Sequence, residues 1–263
     1  VKRRKNDAAD AEAVAEAASR PTMRPTMRFV SVKTEGRQAR AMLFRTRDPL
    51  VRQRTQPIDA LRGRLAEHGV AAPQGSAHLE RLADVIGDPQ RRSPPVVREL
   101  GAVLLGQIDD LGRRAQQLEK RMRAAAAEAE PTRRLQTMPG VGPVTAMAIE
   151  TFAPPMTAFR RARDCAAWLG LVPRQHSTGG KQRLGKTSKT GRRDIRRSLV
   201  IGAMAVIRTA SRNGAREGSW LARMLERKPR MLVAVALADK MAGGLRAMMT
   251  TKEDCRDPAM ATA

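Results

Sequence analysis

A mainly α-helical fold is predicted by three features of this 263-residue chain. Val51, Ile58, Leu61 and Leu65 fall 7, 3 and 4 positions apart, an apolar stripe at the helical period. Leu104, Ile108, Leu111, Ala115, Leu118 and Met122 follow a 4-3-4-3-4 spacing, which is a heptad seam. Beyond Pro131 the composition changes, and glycine-bearing turns alternate with short apolar segments of helical length.

The elements follow in order. Residues 4–18 read as a helix, because Asn6 or Asp7 can cap it, acids fill its first turns, and alanine has the best helix propensity. Pro21 and Pro25 end it, inside a tandem "PTMR" duplication at 21–24 and 25–28. "RFVSVKT" alternates as a short strand would. A charged helical stretch then spans about 38–68, and Pro49 and Pro57 predict a kink or two shorter helices. "GVAAPQGS" is a loop, and a second long helix covers about 95–130. Two long helices joined by a connector predict an antiparallel helical hairpin or coiled coil, with packing inside one bundle as the alternative. Shorter helices are expected at 141–151, 161–169, 188–209, 215–227 and 230–249, and a disordered tail after Asp254.

Charge narrows the function. Lysine and arginine outnumber the acids 50 to 26, a formal net charge of +24. That balance calls for a polyanion, and nucleic acid is the first candidate. No window holds about 18 consecutive apolar residues, so a membrane-spanning helix is excluded. Residues 1–20 lack the apolar stretch of a signal peptide. Cys165 and Cys255 form no ligand or disulfide pattern, which fits a reducing cytoplasm. The chain has no tyrosine, so DNA cleavage through a phosphotyrosine is excluded. His68, His78 and His176 form no HExxH, which argues against zinc hydrolysis. Four Phe and two Trp leave aromatic stacking on single strands a minor mode.

Three stretches carry candidate chemistry. In "LQTMPGVGPVTAMAIE", Gly140 and Gly142 flank Val141, and Pro143 stands at a helix's first position. Such a turn resembles a helix-hairpin-helix, whose second helix presents backbone amides to a phosphate. A helix–helix turn without a ligand is the plainer alternative. From Arg160 to Arg197 twelve Arg or Lys face only Asp164 and Asp194. Gly179, Gly180, Gly185 and Gly191 let that backbone turn, so the cations can surround a phosphate. Arg174, Lys181, Arg183, Lys186, Lys189, Arg192 and Arg193 are the expected contacts with DNA or RNA, alongside Gly140 and Gly142. Within the same stretch Ser177 is either a weak nucleophile needing a base and charge stabilisation or a capping hydroxyl in a turn. The local residues alone favour the turn. Asp7 and Asp10, three apart on a helix, can share a Mg²⁺ or simply complement the helix dipole.

Taken in order, these pieces resemble one family. "KNDAADAEAVAEAAS", "RTRDPLVRQRTQPIDALRGRLAEHG", "PGVGPVTA", "CAAWLGLVPRQHSTGGKQRLGKTSKTG" and "RRDIRRSLV" look like the insertion-sequence 110/116/902 transposases, also called DEDD transposases. The match covers about residues 1–250 and is most specific from Pro139 to Leu199. The resemblance implies a RuvC-like domain of RNase H type ending near residue 35, a coiled-coil arm over 36–130 and a serine-bearing transposase domain over 131–250. Residues 251–263 form the tail. It implies transposition of a mobile insertion element, with Ser177 as nucleophile toward DNA. Asp7 and Asp10 stand for the last two carboxylates of a Mg²⁺-binding Asp-Glu-Asp-Asp tetrad. Partners implied are DNA, a structured guide RNA of the element, and further copies of the chain through the arm.

Two departures stand out. His176 occupies a position that is often aromatic in such sequences, and the first Asp and the Glu of the tetrad would lie upstream of Val1. The expectation is therefore a truncated transposase, inactive alone, with a non-catalytic nucleic-acid-binding module as the alternative.

Overall fold

The computed structural model describes residues 7–19, 32–90, 93–176, 181 and 183–255. The chain divides into two compact units, Val1–Lys33 and Thr34–Ala263. In the first, α1 spans Asp7–Ser19, one residue longer than expected at its end. The second contains everything else described.

The strand expected at 28–34 falls mostly outside the described residues. Residues 32–34 belong to no strand, and residues 28–31 lie outside the described set. The Thr34 hydroxyl instead accepts the Arg37 amide at 3.4 Å and caps α2, Glu35–Glu67. That bond satisfies a first-turn amide of α2.

Of the kink or two shorter helices expected at Pro49 and Pro57, the two shorter helices are corrected, because α2 is one helix with both prolines inside it. An interior proline costs about 3 kcal/mol, so packing must offset that. The offset comes from α3, Leu79–Gly87, and α4, Pro95–Glu128. Leu61, Leu82 and Ile108 are almost completely buried between the three helices, together with Ile58, Leu65 and Ile86. Each such side chain contributes roughly 1.5–3 kcal/mol, and Pro57 is itself buried. Helix α3 escaped the sequence reading; it packs where Gly101 of α4 leaves room, since a Cβ there would lie 2.8 Å from Ile86 Cδ1.

Helices α2 and α4 run antiparallel. Arg47 Nε donates to Glu119 at 2.8 Å, and seven residues later Arg54 lies against Gly112, seven residues earlier on α4. Beyond them come α5 (Glu130–Leu135), α6 (Pro143–Phe152) and α7 (Ala162–Trp168). A two-stranded antiparallel sheet follows, β1 (Pro173–Gln175) with β2 (Leu184–Thr187). The chain then forms α8 (Arg193–Asn213), α9 (Trp220–Arg227) and α10 (Arg230–Thr251). Met122 and Ala126 of α4 bury with Met147 of α6, and Arg40 of α2 donates to Glu150 at 3.0 Å. The largest core is formed by α6, α7, α8 and α10, with Leu199, Ala203, Leu237, Met241 and Leu245 at its centre.

Two helix starts differ from the sequence expectation. The α8 helix begins at Arg193 because Lys189 and Gly191 hold φ of +55° and +78°, which a helix cannot accommodate. For α9 the start is Trp220, where Ser219 accepts the Ala222 amide at 3.1 Å. The tail expected after Asp254 begins inside the description, and residues 256–263 lie outside it. Among the described residues no helix is long and apolar enough to cross a membrane.

Candidate nucleic-acid interface

The basic stretch does not fold as a loop alone. Its two ends pair, with Pro173 opposite Thr187 and Gln175 opposite Leu184, and the His176 amide donates to the Arg183 carbonyl at 2.8 Å. The His176 ring lies over Gly185, where a Cβ would come within 3.1 Å of Nε2. Ser177 follows His176 at the far end of β1, but Ser177–Gly180 and Gln182 lie outside the described residues. Arg174, Lys181, Arg183, Lys186 and Lys189 are all exposed on or beside the two strands.

A backbone crossing anchors this ribbon. Gly170, just after α7, has φ of +69°, and a Cβ on it would lie 1.9 Å from the Thr190 carbonyl oxygen. Gly191, just before α8, has φ of +78°, and its Cβ would lie 1.9 Å from the Trp168 carbonyl oxygen. Neither position has space for a side chain, and both backbones are left-handed. Two amide bonds and two arginines close the joint. Ser188 N donates to Val172 O at 2.9 Å, and Lys189 N to Gly170 O at 3.1 Å. Arg196 Nη1 reaches Leu169 O at 2.8 Å and Thr190 O at 3.0 Å. Arg174 Nη2 adds a contact to Ser188 O at 3.3 Å.

The expected phosphate contacts now separate by role. Arg192 is half-buried, bonded through Nε to Asp194 at 3.0 Å, with its guanidinium 3.8 Å from the centre of the Phe152 ring. Its charge is largely committed within the fold. Arg193 is exposed. Gly140 has φ of +84° and packs on α8, where a Cβ would meet Gly202 O at 2.7 Å. The reciprocal Cβ on Gly202 would meet Gly140 O at 2.0 Å. The demand for glycine at 140 therefore comes from a helix crossing. Gly142 has open space beside it and stands immediately before α6, with no side-chain cap on that helix's first amides. Arg196 was counted among the cations of the sequence, but its clamp on two carbonyls needs residues 6 and 27 positions away and could not be read there.

Asp7 and Asp10 stand in the first turn of α1, three positions apart, with the described side chains beginning at residue 11. Among the described residues no three His, Cys, Asp or Glu side chains converge as a metal site.

Behind the ribbon lies a cavity of about 1030 Å³, whose walls include Leu171, Pro173, Thr187, Ala166, Met248 and Asp239. Burial holds the Asp239 carboxyl above its ordinary value, partly offset by the Arg163 guanidinium. Cys165 is buried in α7, and desolvation pushes its thiol up to about 11, again against a smaller opposing effect from Arg246. Arg246 is engaged by the Phe159 carbonyl, at 2.7 Å from Nη2. At pH 8 a thiol reagent is therefore expected to modify half-buried Cys255 and spare Cys165 until the protein unfolds. Two fast-reacting thiols in the native protein, counted by mass spectrometry, would contradict this packing.

Comparison with known proteins adds relatives along most of the chain. The family model described as "Transposase IS116/IS110/IS902 family" matches residues 132–217. A Sinorhizobium fredii protein bearing the name of a transposase, y4pF/y4sB, is 40% identical over 258 residues, covering 97% of this chain and 65% of that protein. The transposase for insertion sequence element IS1328 of Yersinia enterocolitica is 37% identical over 242 residues, 92% of this chain and 71% of its own length. The transposase for insertion sequence element IS1111A of Coxiella burnetii is 35% identical over 257 residues, 97% of this chain and 70% of its own. The chain thus spans just under two thirds of the Sinorhizobium relative's length.

Proposed function

The chain belongs to the IS116/IS110/IS902 family of transposases, and from that premise we propose that it cuts and rejoins DNA at the ends of a mobile insertion element. The supporting observation is the basic ribbon, with cations on both strands and a rigid glycine joint at its base. Ser177, two residues after the last residue of β1 in the sequence, is the nucleophile in this reading. Its Oγ forms a bond to phosphorus while one phosphodiester oxygen leaves. The serine proton passes to a base, and the leaving oxygen takes one up. Attack by an oxygen of the joining strand then reverses the step and frees the serine. Arg174, Lys181, Arg183, Lys186 and Lys189 hold the phosphate and offset charge developing on its oxygens. Gly142 adds the uncapped amides of α6 as a backbone contact.

Asp7 and Asp10 are the proposed Mg²⁺ ligands. Mg²⁺ is commonly held by one or two carboxylates, with water and substrate phosphates completing its shell, so two carboxylates one turn apart fit that donor set. When bound, the ion supplies positive charge for phosphoryl transfer. A structured RNA of the element supplies sequence choice by base pairing, and copies of the chain assemble through the α2–α4 pair. The protein side needs only backbone contacts, in keeping with its arginine and lysine content.

The test combines the purified chain with a donor plasmid carrying the element ends, a target plasmid, the element's RNA transcript and Mg²⁺. Joined products with the element's junctions are expected, and they are expected to vanish when Mg²⁺ is chelated. Salt-steep binding with no cut strand, all components being present, would instead assign the chain a backbone-binding role alone.

A further inference from the structure

The exposed face of α8 carries a second basic feature, separate from the ribbon. Arg193, Arg197, Arg208 and Arg212 are all exposed. At 100° per residue they fall within about 100° of arc, on one face of the helix. The opposite face is buried through Ile195, Leu199, Ala203, Val206 and Ile207. No ion pair engages any of the four among the described residues. The helix's one acid, Asp194, is already held by Arg192. Between the two arginine pairs the same face shows Ala205 and Ile201, the latter 59% exposed.

The spacing is informative. Within each pair the arginines are four residues apart, about 6 Å along the axis, and Arg197 and Arg208 are separated by roughly 16 Å. The major groove of B-form DNA is about 12 Å wide, with a phosphate ridge on either side. Arginine side chains are long enough to close the remaining gap. A uniformly solvated face has no reason to part its charges into two pairs or to leave an isoleucine exposed between them.

The geometry points to a track for duplex DNA along α8, in which Arg193 with Arg197 grips one phosphate ridge and Arg208 with Arg212 the other. Ile201 and Ala205 face the groove floor and offer no hydrogen bond, so the track holds the duplex without reading its sequence. It starts two residues after Gly191 of the joint that anchors the ribbon, so it extends the grip beyond the ribbon. This assignment rests on the reading of the chain as a nucleic-acid-binding transposase but not on its chemistry.

The test is equilibrium binding by fluorescence anisotropy, on a 20-bp DNA duplex and an RNA duplex of the same random sequence, between 50 and 200 mM NaCl. Arg208→Gln/Arg212→Gln is compared with wild type and with Lys120→Gln/Arg121→Gln, an equal charge loss on exposed positions of α4. Losing two phosphate contacts is expected to lower the slope of log K against log salt by about 2 on DNA (about 1.8 from 0.9 per contact) and to weaken binding about tenfold at 0.1 M salt. Melting temperature is expected to be unchanged. The α4 variant should keep the wild-type slope. A loss on the RNA duplex alone overturns the assignment to DNA. An unchanged slope on both duplexes, or an equal loss in the α4 variant, overturns the proposal. Because the readout is binding, an inert serine would leave it standing.

Discussion

Gly191→Ala is expected to unfold the joint beneath the ribbon. The added methyl would sit 1.9 Å from the Trp168 carbonyl oxygen, a backbone atom that no rotamer change can move. The left-handed φ of +78° costs a non-glycine residue about 1–2 kcal/mol. Forcing two backbones apart adds about 1–3 kcal/mol more. Together these exceed any single hydrogen bond at the joint, at roughly 1 kcal/mol each. A stability loss of about 3 kcal/mol corresponds to a fall in melting temperature of about 10 °C for a chain of this size. Gly170→Ala should behave alike, because its Cβ would meet Thr190 O at the same 1.9 Å. Gly106→Ala is the contrast. That position is exposed within α4 with nothing nearby, so the loss of unfolded-chain freedom should raise stability by about 0.5–1 kcal/mol. Thermal melts of the three variants decide the matter, and a Gly191→Ala melt equal to wild type would refute the crossing.

Ser177→Ala is expected to reduce strand joining at least about 10³-fold while leaving duplex affinity within a factor of two, since it removes the attacking oxygen and no charge. Neighbouring hydroxyls serve as controls. Thr190 Oγ1 donates to Ser188 Oγ at 3.1 Å, so these two are held in the joint away from the β1 end. Ser188→Ala should keep most of the joining activity. Loss of joining in Ser188→Ala with retention in Ser177→Ala would move the chemistry to the other end of the ribbon.

Much of the helical architecture was legible because its signals are local. The seam from Leu104 to Met122 yields α4, and the apolar runs before and after the glycine turns yield α6, α7 and α10. What was hidden depends on partners far along the chain. The continuity of α2 through Pro49 and Pro57 depends on α3 and α4, and no local pattern reports it. The β1–β2 ribbon was missed because its residues are mostly exposed, so no apolar alternation marks it. Gly140 was legible as special but for another reason, since its crowding partner Gly202 lies 62 positions away. At the candidate site, composition pointed to a phosphate-binding stretch. The structure then divided its cations into the exposed ones on the ribbon, the clamp Arg196 and the committed Arg192. The role of Ser177 came from family resemblance and is the part that chemistry must now test.

The central claim is most directly tested by trapping the covalent intermediate. The chain is incubated with element-end DNA interrupted after the cleavage position, the element's RNA transcript and Mg²⁺, then denatured, digested and analysed by mass spectrometry. A nucleotide-bearing peptide is expected, with the added mass on Ser177, and no such adduct in Ser177→Ala. Joined DNA together with an adduct on any other residue, or an adduct that persists in Ser177→Ala, would contradict the account.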